Sequence, residues 1–145
     1  MVAARPDSRQ TTLCVPALIA AVIAFAMDVV YVLIIRWQGN FAEEPGRVVF
    51  VASYLAAIAI VGFAAGLARR IDVRLALLGA ATAALFGLGV LAAFSIGVPL
   101  LFAGVLTAAA WIRTTEPGQP LHARRLAWAL AGSALVVLVF GIALT

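Results

Sequence analysis

The apolar residues of this chain fall into uninterrupted blocks, and the length of those blocks decides what it can fold into. A hydrocarbon layer about 30 Å thick takes roughly 20 helical residues to cross. Leu13 to Ile35 is a 23-residue block whose one charged member is Asp28, and Val48 to Ala68 is a 21-residue block with none. Leu75 to Ile112 adds 38 uncharged residues. As one helix that stretch would reach roughly 57 Å, too long for one crossing and about right for two. The last block runs from Leu126 to Leu144. With 66% of its residues hydrophobic and 11% charged, a water-soluble domain of 145 residues would have no means of covering so much apolar helix.

The long third block breaks most naturally at Ser95-Ile96-Gly97-Val98-Pro99, because glycine and proline punctuate turns and proline is tolerated in a helix's first turn. The expectation is an all-α bundle of five transmembrane helices at about 13–35, 48–68, 74–94, 98–112 and 125–144, forming one polytopic domain over 1–145. The fourth is the shortest, and re-entry into one leaflet is its alternative to a full crossing. Arg69 and Arg70 close the second helix, where cations suit the negative end of the helix dipole. Asp72 is expected to cap the third, making the link between them a hairpin of about four residues. The remaining connections are 36–47, with Pro45-Gly46 as its bend, and 113–124, where Pro117 and Pro120 block continuous helix. All three tryptophans, Trp37, Trp111 and Trp128, fall near expected helix ends. There an indole can bury its ring and keep its N–H wet.

Arginine placement sets the expected orientation, since loops rich in it stay on the cytoplasmic side. The chain has ten arginines and no lysine. With five crossings and the N-terminus inside, residues 1–11, the link at 69–74 and the loop 113–124 with Arg125 hold Arg5, Arg9, Arg69, Arg70, Arg74, Arg113, Arg124 and Arg125. The outer side holds Arg36 and Arg47, balanced by Glu43 and Glu44. The expectation is therefore N-in and C-out. An Ala24-Phe25-Ala26 that resembles a cleavage site is expected to stay intact, because the apolar run continues past it to Ile35. Arginine without lysine, beside abundant alanine, valine and leucine, fits GC-rich coding, so the expected location is a bacterial cytoplasmic membrane.

The net charge of +4 does not point to nucleic acid. The arginines occur as short pairs flanking apolar blocks, where anionic lipid headgroups are their natural partners. The single cysteine and single histidine offer no disulfide, metal cluster or haem pair, and no cofactor is expected.

Asp28 carries the main functional question. An aspartate near a helix centre costs about 2.5–3.5 kcal/mol to insert, so one found there has a reason. Ala17, Ala21, Ala24, Asp28 and Tyr31 share one stripe at three- and four-residue spacing, whereas Leu18, Val22, Phe25, Val29 and Leu33 form a bulky stripe beside it. Small residues favour helix contact, so Asp28 should face the bundle. One reading makes it a packing acid, hydrogen-bonded to Tyr31 or to Tyr54 at matching depth on the second helix. The other makes it a proton or cation site, and a third is a contact with another subunit. The packing reading is favoured, because no other apolar block holds a charge to complete a relay.

Gly62 and Gly66 form a GxxxG that lets helix backbones approach. Packing inside the bundle is its expected use and homo-oligomerisation the alternative. Gly79, Ala83 and Gly87 repeat the pattern on the third helix. Ser53, Thr82, Ser95, Thr107 and Ser133 are expected to bond to preceding backbone carbonyls. The Gly87–Ala92 match to a dinucleotide fingerprint lies inside an apolar helix with no preceding strand and carries no weight. No P-loop, HExxH, G-x-S-x-G or pair of convergent acids is present. The leading expectation is a non-catalytic structural, accessory or regulatory component of a membrane complex or self-assembly, with a homo-oligomer or a membrane-protein partner. A small transporter or ion pathway using Asp28 is the alternative.

Overall fold

A computed structural model describes residues 13–39, 45–93, 95–115 and 121–144. Among the described residues the chain is all-helical, with no strand, and comprises α1 (Val15–Gln38), α2 (Pro45–Leu67), α3 (Ile71–Leu91), α4 (Gly97–Thr114) and α5 (Leu121–Leu144). All five are long and apolar enough to cross a membrane. At 1.5 Å per residue they measure roughly 27 to 36 Å. The shortest, α4, still has 18 residues.

Helix ends follow local backbone chemistry more closely than they follow hydropathy. α1 does not stop at Ile35; it continues through Arg36, Trp37 and Gln38 and ends at Gly39, whose φ of 73° is left-handed. Glycine adopts that conformation without a Cβ penalty. Pro45 does not bend the connection but opens α2, a position where its missing N–H costs nothing. Residues 36–38 and 45–47 of the expected loop 36–47 are therefore helical, as are 113–114 and 121–124 of the expected loop 113–124. α3 begins at Ile71 and ends at Leu91, three residues earlier at both ends than expected, and the turn 92–96 occupies the expected break. Asp72 lies inside the first turn of α3 and makes no capping hydrogen bond; Arg70 holds the cap position. The hairpin between α2 and α3 is instead tied by Arg74, whose Nη2 donates to the Ala68 carbonyl at 2.6 Å. The expected N-terminal segment 1–11, Glu43, Glu44, Pro117, Pro120 and the expected end of the third span at 94 lie outside the described residues.

Helix pairing gives a ring of four with a fifth helix outside it. α1 packs on α2 and α4, and α3 packs on α2 and α4, closing the ring. α5 lies against the outer side of α3 and touches α2 only lightly. Neighbours within the ring are antiparallel, as Gly66 opposite Leu18 and Gly62 opposite Ala21 illustrate for α1 and α2. α3 and α5 run in the same direction, with Gly79 opposite Ala127 and Gly87 opposite Leu135 and Leu138. α3 is the most enclosed helix: half of its apolar window is buried, against 17% for α1 and for α5.

One apolar cluster draws on all five helices, through Ala24, Leu55, Leu85, Leu100 and Leu138 among others. A smaller one, of Ala17, Ala65, Leu78 and Ala110, lies toward the end that holds Arg69, Arg70 and Arg74. The buried side of α1 is entirely alanine, at positions 17, 20, 21 and 24. Its bulky stripe faces outward, with Val22, Phe25 and Leu33 exposed. An exterior of valine, leucine and phenylalanine around an interior rich in alanine and glycine reverses the pattern of a water-soluble bundle.

Candidate functional site

Asp28 lies one turn beyond Ala24 on the alanine stripe of α1 and is half-buried. Its Oδ1 is shielded from solvent and has no hydrogen-bond partner. A buried carboxylate oxygen normally finds a donor, and leaving one unmatched costs more than the bond itself is worth. Tyr54, the expected neighbour at matching depth on α2, directs its hydroxyl hydrogen elsewhere. Its hydroxyl donates across to the Ala134 carbonyl on α5 at 2.8 Å, and its ring stacks on Phe50 with centroids 6.0 Å apart. The Tyr54 hydroxyl hydrogen is thus committed to the α2–α5 contact.

Tyr31 follows one turn after Asp28 and is half-buried at the edge of the main apolar cluster. With Arg47, Ser95 and Ile96 it lines a cleft of about 200 Å³ among α1, α2 and the α3–α4 turn. The trio expected from sequence is thus divided. Asp28 and Tyr31 stay together on α1 near this cleft, and Tyr54 serves the α2–α5 contact.

Gly62 and Gly66 face α1. A Cβ on Gly62 would come within 2.9 Å of the Ala21 Cβ, and one on Gly66 within 2.5 Å of Leu18 Cδ2. The backbone N–H of Cys14 also donates to the Gly66 carbonyl at 3.2 Å, fastening the start of α1 to the end of α2. Gly79 and Gly87 turn toward α5.

Four of the five hydroxyls can be placed. Thr107 bonds to the Ala103 and Gly104 carbonyls, Ser133 to Leu130 and Ser95 to Ala92. Thr82 departs from the expectation, because its Oγ1 is buried without a partner.

The tryptophans separate by end. Trp37 is almost fully exposed, at 91%, at the end of α1. Trp111 and Trp128 meet edge to face at the opposite end, with centroids 5.2 Å apart. Together with Leu75, Ile112, Arg124 and Ala127 they line a cleft of about 290 Å³. Sequence reading placed both rings near helix ends but did not bring them together. Their spacings from the nearby arginines, Trp111 just before Arg113 and Trp128 just after Arg125, were the available signal.

Among the described residues, no group of three or more His, Cys, Asp or Glu side chains is arranged to hold a metal ion. Comparison with protein-family models, with curated proteins and with solved structures finds no match to this chain.

Proposed function

We propose that this chain is a multi-pass protein of the cytoplasmic membrane, N-terminus in and C-terminus out, that acts as a non-catalytic component of a membrane complex or of a self-assembly. The observation that carries the reading is α5. It packs on one side only, mainly along α3, where Ala127, Ala131 and Leu138 are buried. Val136, Val137, Val139 and Phe140 on its remaining surface are exposed. A helix held along one side and apolar on the others suits lateral association within a bilayer, where packing and not water drives contact. The eight-to-two arginine distribution supports the orientation.

Mild-detergent purification with crosslinking tests the reading. A dimer, or a stoichiometric partner lost when Val136 and Phe140 are replaced by alanine, is the expected result. A monomer with no partner at any concentration would overturn it. Reporter fusions at the two termini are expected in opposite compartments, and finding both in one would exclude five crossings.

Asp28 favours a second reading, a small ion or proton pathway, because its Oδ1 is enclosed and unmatched while Tyr31 and Arg47 line a cleft one turn further along. Intramembrane acids are functional candidates by default. Proteoliposome flux that falls at least about tenfold in Asp28→Asn would support it, in line with the cost of removing a single essential group. Flux that is absent, or equal in both proteins, would remove it.

A further inference from the structure

The first turn of α5 combines two features that oppose one another unless an anion is present. A helix N-terminus is electropositive, because its first N–H groups lack carbonyl partners, and it favours acidic side chains. The first turn of α5 contains no acidic residue; it contains His122 and Arg124, with Arg125 next. Two guanidinium groups thus lie at the end of the helix where cations are least favoured. Arg124 borders the 290 Å³ cleft, whose other walls are the Trp111–Trp128 pair, Leu75, Ile112 and Ala127. The lining is apolar apart from Arg124 and Thr115, and the Thr115 hydroxyl already donates to the Trp111 carbonyl at 2.8 Å.

We infer that this cleft seats one phospholipid with an anionic headgroup, its phosphate on Arg124 and part of an acyl chain between the two indoles. Charge complementarity commits the occupant, since a guanidinium fork matches a phosphate. The cleft's volume is near the lower end of the range for small-molecule sites. It therefore takes part of a chain and leaves the rest along the exposed Ile112 and Trp128. A neutral lipid would leave the two cations unbalanced. The inference rests on the membrane placement proposed above and adds to it a single site with headgroup preference, where the arginine pairs alone predict only diffuse attraction.

Quenching by brominated acyl chains tests it. In a Trp37→Phe background only Trp111 and Trp128 remain. The protein is reconstituted in phosphatidylcholine vesicles containing increasing dibromo-phosphatidylglycerol or dibromo-phosphatidylcholine. Half-maximal quenching is expected at a mole fraction about fivefold lower for the anionic lipid, the preference that one well-placed arginine supplies. Arg124→Gln should bring the two curves together, Arg124→Lys should keep most of the separation, and Arg125→Gln should keep at least half of it. Coincident curves for the Arg124-containing protein, or equal losses in Arg124→Gln and Arg125→Gln, would overturn the site while leaving the membrane placement intact. Absence of quenching by either lipid would overturn both.

Discussion

Two seams in this molecule use the same residue for opposite purposes. Between α1 and α2, Gly62 and Gly66 admit Ala21 and Leu18 across an antiparallel pair that is also tied by the Cys14–Gly66 backbone hydrogen bond. Between α3 and α5, Gly79 and Gly87 admit Ala127, Leu135 and Leu138 across a parallel pair separated in sequence by the whole of α4. In the first seam the helix dipoles oppose and the connection is short, so the glycines refine a pairing that topology already favours. In the second the dipoles align, which works weakly against contact. Nothing local holds the pair, so side-chain fit must supply what topology does not. At its glycines the antiparallel seam is the tighter of the two, whereas the parallel seam relies on side-chain fit without help from topology.

Substitutions that add one methyl group separate the two cases, with SDS-titration unfolding in mild detergent as the measurement. Gly62→Ala should have the largest effect, a loss of about 2 kcal/mol, within the usual cost of overpacking. The new Cβ would meet the Ala21 Cβ at 2.9 Å with the Ala21 backbone directly behind it. Gly66→Ala should cost visibly less, because what it meets is the movable end of Leu18. Gly79→Ala should lose about 1 kcal/mol, since the Ala127 carbonyl at 3.1 Å needs to yield only a few tenths of an ångström. A larger loss at Gly79 than at Gly62 would reverse the comparison and make the parallel seam the tighter of the two.

Tyr54→Phe removes a hydrogen bond that joins α2 to α5 at mid-helix and should cost about 0.6 kcal/mol, the usual worth of an interhelical bond in lipid. Its effect should shrink when combined with Gly79→Ala if both act through the position of α5. Strict additivity would show that α2 and α3 hold α5 independently. Gly132→Ala, on α5 with nothing within 4 Å of the added Cβ, should be neutral or stabilising by up to about 0.5 kcal/mol. A measurable loss there would mean that a surface exposed in the single chain is covered in the assembly.

The number and rough positions of the helices were legible because apolar block length reports directly on the solvent a helix can occupy. Their ends were less so. Trp37 and Gln38 extend α1, and Pro45 opens α2, through backbone capping that hydropathy does not see. Asp28 was recognisable as facing inward, since the alanines below it form a stripe. The Tyr54–Ala134 bond and the Trp111–Trp128 contact were not recognisable. Both depend on where α5 lies, and α5's sequence says only that it is apolar, not which helix it will choose. Thr82 was given an ordinary backbone bond that it does not make, an error of the same kind, because a hydroxyl's partner depends on its rotamer and its neighbours.

The same-direction packing of α3 and α5 also fixes an order of events during biogenesis. α1 and α2 can close on one another as soon as both have left the ribosome, whereas the glycine-lined side of α3 stays uncovered until α5 has been made and delivered. Over that interval a newly made chain leaves open a groove that α5 later covers. Any insertase, chaperone or second nascent chain able to occupy it would compete directly with α5 for its place.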